Sequence, residues 1–478
     1  MAKNREEIKN VILMKTQSVP FISSLSIAFL FLLAGSVSQG QNSMNVELLS
    51  NWKDLTLPAS TTWNNTYNEV WGYASEGREY GIIGSTNGTH IIDITNPTMP
   101  EEVVFIEGAS TGPQVIHRHF DNYGHYLYMV CDEGAATLQI ADLSFLPDSA
   151  PIVYDSDELF SRAHNCFIDT ATAHLYVVGN SSWCSVYSLA NPESPELLID
   201  CRYDLPFWSS IGYLHDIFVR NDTAYCNAET RGLFVVDFSD ISNPTMIGSL
   251  PVYVQQGYNH SGSLMADAPF YAMADETHGM AIKIVDVSDM QNLMVTDTIR
   301  SGVNQFSIPH NLLYHDGMLY ISYYFDGMYV FDCSNPANPV LAGFYDTSLE
   351  PHADNDYRGN WGVYPYLPSG IVLASDMQSG LWVLDPSQAI GTGISGNVVP
   401  SSSRQLSVFP NPVSTTAFVD RGYSGNAFTV FDATGRIHAK GMVPADGKLL
   451  DASLMIPGMY IIQIEQREFI YSCKFLKM

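Results

Sequence analysis

The chain has 478 residues, 46% of them hydrophobic and 12% aromatic, enough for one large domain or several ordinary ones and too apolar for a disordered chain. Acidic residues number 50 against 22 Lys and Arg, and the excess is confined to residues 41–390, where 42 acidic and 10 basic side chains give a net −32. Such a body repels polyanions, which excludes nucleic acid and an anionic membrane face as partners.

Residues 1–40 read as an export signal. Phe21 to Ala34 is an uncharged, mostly apolar run of 14 residues, short for a membrane span and right for a secretory h-region. Lys15 supplies the positive n-region, and the small residues of GSVSQG place cleavage after Ser38 or Gly40. Met14-Lys15-Thr16 reads as the natural start of this signal, because the preceding MAKNREEIKNVIL fits no part of it. No later stretch approaches a membrane span, so the mature protein is expected to be exported without a transmembrane segment.

Residues 41–390 repeat. Strand-like strings ending in Asp and a polar turn recur as HIIDITNP, LQIADLS, SVYSLANP, LFVVDFSD, IKIVDVSD, MYVFDCSNP and LWVLDPS. Their marker positions are 93, 142, 188, 237, 286, 332 and 385, with spacings of 46–53 residues. Other short apolar runs flank each copy and no helical periodicity intervenes, which predicts four strands per repeat. The fold class is therefore all-β: a seven-bladed β-propeller of four-stranded blades. Asp93, Asp237, Asp286 and Asp332 are expected to form Asx turns. The last blade lacks a fourth strand after Leu381–Gly391, and NVELLSNWKDL (Asn45–Leu55) resembles the outer-strand segment PELLIDCRYDL, so the N-terminal segment is expected to complete it.

A histidine precedes the first strand of most blades: His117 or His119, preferably His119, then His164, His215, His260, His310 and His352, with Glu69 at the comparable place in the first blade. A second set, Glu133, Asn180, Glu229, Glu276, Asp326 and Asp376, falls between the second and third strands. In an antiparallel blade these two places lie at one end, so a ring at the channel mouth is expected. Three readings stand: hydrogen bonding between blades, a metal or ligand site, and catalysis. The candidate metal set is His119, His164, His215, His260, His310, His352, Glu69, Glu229, Glu276 and Asp326, with calcium or zinc as the candidate cation. No H-E-x-x-H, G-x-S-x-G or phosphate-binding loop occurs, and no catalytic residue is assigned.

Of the 7 cysteines, Cys184 and Cys201 are centred on the turn NPESP and are expected to face each other as a disulfide of an exported protein. Residues 391–404, GTGISGNVVPSSSR, have linker composition, and residues 405–478 form a short all-β module of opposite charge sign.

Two resemblances sharpen this reading. LSVFPNPVS, VFDATGRI, PGMYIIQI and KFLKM in the tail resemble the C-terminal sorting domain of the type IX secretion system, with Pro410, Asn411, Pro412, Gly435, Gly458, Tyr460 and Lys474 in the matching motifs. That resemblance implies a Gram-negative host, recognition by the type IX machinery, and release or surface attachment. IIDITNP, FVVDFSDISNP and VFDCSNPANP resemble LVIVD repeats, and SSWCSVYSLANPESPELLIDC with GYLHD is similar to the "choice-of-anchor B" secreted proteins. Ser188 in place of the repeated Asp, and LSFLPDSAP in place of an Asn-Pro turn, depart from the pattern. This family implies no particular reaction. The expected function is an extracellular binding module for an unidentified protein or glycan; the alternatives are a metal-dependent hydrolase or lyase acting on an extracellular polymer, and a structural adhesin.

Overall fold

Each marker position ends a strand, and its side chain makes the turn that follows. Asp93, Asp142, Asp237, Asp286, Asp332 and Asp385 each accept from the backbone amide two residues on at 2.8–2.9 Å, and Ser188 does the same through its hydroxyl at 3.2 Å. The Asx-turn chemistry explains why an Asp recurs without a ligand. These turns belong to a computed structural model that describes residues 42–391, except 266, 267 and 355, and 406–478, except 407, 410–412, 420–422, 433–435, 454, 467 and 468. The expected signal region 1–40 and nearly all of the linker 391–404 lie outside the described residues.

Nine sheets occur among the described residues, seven from 43–385 and two from 408–477. In the first group every sheet is antiparallel, and five of the seven are built only from strands consecutive in the chain. The first contains Tyr67–Ser75, Arg78–Ser85, Gly88–Asp93 and Glu101–Glu107; the fourth contains Asp216–Arg220, Thr223–Asn227, Leu233–Asp237 and Thr245–Leu250. The first strand of every sheet contacts the first strand of the next, and that of the seventh, Asn360–Tyr364, contacts Tyr67–Ser75, so the cycle closes. Apolar clusters lie between consecutive sheets around the cycle. One between the third and fourth holds Val186, Trp208 and Val236, and one between the seventh and first holds Leu381, Val383 and Ile83. The architecture is all-β and propeller-like.

The N-terminal segment completes this cycle. Glu47–Trp52 pairs with Gly380–Asp385 as the outer strand of the seventh sheet, in register from Glu47↔Asp385 to Trp52↔Leu381. Ser43–Met44 adds a fifth strand to the sixth sheet beside Val340–Tyr345, which the sequence pattern did not anticipate. Gly380 permits the close pairing: its φ is +90° and a Cβ there would strike the Trp52 carbonyl oxygen.

Two expectations are corrected here. The third sheet's outer strand ends at Asp200, which caps a helical turn, Cys201–Asp204, followed by a second turn, Trp208–Ile211. Cys184 and Cys201 stand one step beyond the Ser185↔Asp200 pair and their thiols share a hydrogen bond, but both are free cysteines. Burial raises the Cys201 thiol well above its ordinary pKa, so it rests as a packed thiol rather than a thiolate.

In the tail, Val408–Phe409, Thr416–Val419 and Lys448–Asp451 form one sheet, and Ala427–Asp432, Ile437–Met442, Gly458–Gln466 and Phe469–Lys477 the other. Val419 and Leu449 of the first share one core with Val430, Tyr460 and Phe475 of the second, a two-sheet sandwich. Of the sorting-motif residues, Tyr460 is buried in this core; Pro410, Asn411, Pro412, Gly435 and the Lys474 side chain lie outside what is described. No helix among the described residues is long and apolar enough to cross a membrane.

Candidate functional site

The residues immediately before, or at the start of, the first strands converge at one end of the axis. His117, His164, His215, His260, His310 and Trp361 form a closed ring of aromatic contacts, with successive centroids 4.9, 4.0, 4.0, 4.3 and 4.5 Å apart and a closing distance of 5.4 Å. Carboxylates from the loops between second and third strands stand behind it. Nδ1 of His117 lies 2.5 Å from Glu133 Oε1, and Nδ1 of His164 lies 2.9 Å from Asp132 Oδ2. The Tyr258 hydroxyl donates to Glu229 at 2.8 Å, the Tyr324 hydroxyl donates to Glu276 at 2.5 Å, and His310 Nδ1 donates to the Trp361 carbonyl at 2.5 Å. Together with Trp63, Tyr213 and Tyr357 these residues, Glu133 excepted, line a cavity of about 660 Å³.

Burial decides the charge states. It holds His164, His215 and His260 below the ordinary imidazole pKa and brings His310 down to about 3, with neighbouring imidazoles acting in the same direction. These four rings are therefore neutral near pH 7 and keep a nitrogen lone pair. Burial lifts Glu276 to about 7. It would also lift Asp132 and Glu133, but hydrogen bonds from His164 and His117 outweigh it and hold both below the ordinary range. The cavity thus offers neutral nitrogen donors, aromatic faces and carboxylates, suited to an uncharged or cationic guest.

His164, His215, His260, His310, Glu229 and Glu276 are brought together as expected from the repeat phase. Four members of the expected set are not. His119 lies two residues further along its strand, facing the opposite end of the axis, with Nδ1 3.8 Å from Cys166 Sγ and burial bringing it to about 3; His117 holds the ring place. Glu69 lies in a second cavity rather than in the ring, and the Asn311 amide donates to it at 2.7 Å. His352 sits in the long connection before the seventh sheet, 3.9 Å from Asp326, which itself accepts from Ser301 at 2.5 Å. Trp361 takes the ring position of that sheet instead. Asp132, Tyr213, Tyr258, Tyr324, Tyr357, Trp63 and Trp361 were missed, although Trp361 follows His310 by 51 residues, in phase with the ring.

The opposite end holds a cavity of about 830 Å³. Its carboxylates are staples between sheets: Asp121 accepts the Ile168 amide at 2.6 Å, and Asp216 accepts the Asn165 side-chain amide at 2.5 Å. Engaged acids of this kind explain the interior polarity without a ligand.

Similarity to known proteins follows the repeats. The LVIVD repeat model matches residues 79–106, 211–251 and 316–347, which fall in the first, fourth and sixth sheets. No curated protein matches the chain. Among solved structures, PorZ, a bacterial surface component of the type-IX secretion system of Porphyromonas gingivalis, is similar over 89% of this chain and 61% of its own, at 10% identity and a TM-score of 0.46. The chain thus spans less than two thirds of that protein's length. The β-propeller domain of Myceliophteria thermophila Cps50 (Swd1) is similar over 71% of this chain and 98% of its own, at 11% identity and a TM-score of 0.49.

Proposed function

We propose that this chain is an exported seven-bladed propeller of the choice-of-anchor B type, spanning residues 41–390, that acts as an extracellular binding module. A C-terminal sorting domain, residues 405–478, addresses it to the type IX secretion machinery. The observation that carries the binding reading is the cavity ringed by five histidines and Trp361, open to an axial mouth and backed by Asp132, Glu229 and Glu276. A pocket of this size with aromatic walls and a few converging polar groups suits a small ligand or a side chain of a larger partner. The net −32 of the surrounding body selects against anions, leaving neutral glycans, cationic groups and protein surfaces. Four tail motifs in order and the separate two-sheet sandwich support the export route.

The test is a thermal-shift panel on the purified mature chain with neutral saccharides, alkyl amines, basic peptides and polyanions, repeated on Trp361→Ala. Stabilisation by a neutral or cationic compound that is abolished in Trp361→Ala is expected. Stabilisation only by polyanions, or binding indifferent to the Trp361 change, would remove the cavity from the function.

A further inference from the structure

Two groups of potential metal ligands line the same cavity: His117, Asp132 and His164, and His215, His260 and Glu276. Within each group, one donor atom per residue lies within 4.8 Å of the others. Hydrogen bonding separates the two. In the first group the Nδ1 atoms are engaged, His164 with Asp132 and His117 with Glu133, so those side chains already satisfy one another. In the second group polar atoms are left over. His260 is only 4% exposed and lines the cavity, yet its Nδ1 has no hydrogen-bond partner. Its Nε2 stops 3.6 Å from Glu276 Oε2, beyond hydrogen-bonding range. Buried polar groups in folded proteins are nearly always satisfied, yet neither ring nitrogen of His260 makes a hydrogen bond, and its Nε2 faces the Glu276 carboxylate across a gap that an ion bound to both would fill.

We infer that His215, His260 and Glu276 hold a zinc-class divalent metal ion between the fourth and fifth sheets, with its remaining coordination open to the cavity. Two imidazoles and one carboxylate form a donor set of open zinc sites. Two nitrogen donors disfavour calcium, which takes oxygen ligands. Zinc bound at about 2.0–2.1 Å needs ligands about 3.3 Å apart. The 3.6 Å between His260 Nε2 and Glu276 Oε2 is close to that, and a His215 nitrogen lies within 4.8 Å of a donor atom on each of the other two. The Tyr324 hydroxyl on the other Glu276 oxygen, at 2.5 Å, is the outer-shell contact that orients a ligating carboxylate. The assignment rests on reading this cavity as the working site, and it gives the bound guest an electrophilic centre to face.

The test is titration of the chelator-treated mature chain with Zn²⁺ against a chromophoric competitor, and with Co²⁺ read by its visible d–d absorption. About one ion per chain is expected. Glu276→Gln and His260→Ala should each weaken zinc by at least the roughly 10–100-fold typical of disturbing a metal's surroundings. Asp316→Asn, at an exposed acid outside the cavity, should leave affinity unchanged, and circular-dichroism melts establish that each variant is folded. No uptake at micromolar zinc, or uptake lost in Asp132→Asn and kept in Glu276→Gln, overturns the assignment. Should the metal-free chain still show Trp361-dependent binding of a neutral or cationic ligand, the cavity reading survives and the metal alone is lost.

Discussion

Glu69 sits inside the protein in the second cavity, with one oxygen on the Val70 amide and the other on the Asn311 side chain. Burial, with Asp216 repelling it, raises its carboxyl to about 8. A carboxyl raised in the fold stabilises fully below its ordinary value near 4.5 and loses that contribution as pH rises through about 8. Glu69→Gln keeps the shape and removes the charge, so its melting temperature relative to wild type should climb between pH 5 and 9, with a free-energy change on the order of a few kcal/mol. A difference independent of pH would show that the carboxyl is not held protonated. His119 and His310, both brought to about 3, act oppositely: their contribution is present above the ordinary imidazole pKa near 6.5 and is lost as pH falls below it. At this scale the sequence is readable only to within a side chain. His117, just before the strand Arg118–Tyr123, and His119 within it both fit the phase, and only the placement of the ring separates them. His352 is out of phase because its connection is long, while a search for histidines passes over the tryptophan that fills the place.

Gly380 shows how one residue governs an element. It begins the third strand of the seventh sheet, and its partner strand comes from the other end of the chain. Gly380→Ala should destabilise by about 1–3 kcal/mol, from the strained positive φ alone before the contact with the Trp52 carbonyl is counted. Denaturant melts of the two proteins measure this; an unchanged midpoint would mean that Glu47–Trp52 is not held against Gly380. Elements were the most legible level. The Asp-ended strings, their period and the resemblance of Asn45–Leu55 to an outer strand are local signals, and turn chemistry makes them specific. Ser43–Met44 is too short to signal itself, and the helical turns after Asp200, four residues each, are too short to show a helical period.

Over the whole molecule the charge is the dominant unsatisfied quantity. The body carries net −32, and few of its surface acids meet a cation: Asp93 pairs with Arg78 at 2.7 Å, and Glu350 and Asp356 share Arg358 at 2.5 and 2.9 Å. Self-repulsion over distances near the Debye length, about 30 Å at 0.01 M and 8 Å at 0.15 M ionic strength, is relieved by salt. The melting temperature should therefore rise between those ionic strengths; a fall would mean that attractive pairs outweigh the repulsion. The acidity was plain from composition, whereas the way the cavity satisfies some groups and orphans others depends on distances that no composition contains.

The strand Glu47–Trp52 also sets an order in time. Asn51 donates to the Leu381 carbonyl, 330 residues later in the chain. At a synthesis rate of about 5–20 residues per second, that partner appears roughly 20–60 s after the strand that needs it. Sheets made of neighbouring strands can form as the chain emerges, but the seventh cannot be completed, nor the cycle sealed, until nearly all of the body exists. A strand made among the first is thus the last to be placed, and until then the chain remains an open series of sheets that can be threaded rather than a closed ring that cannot.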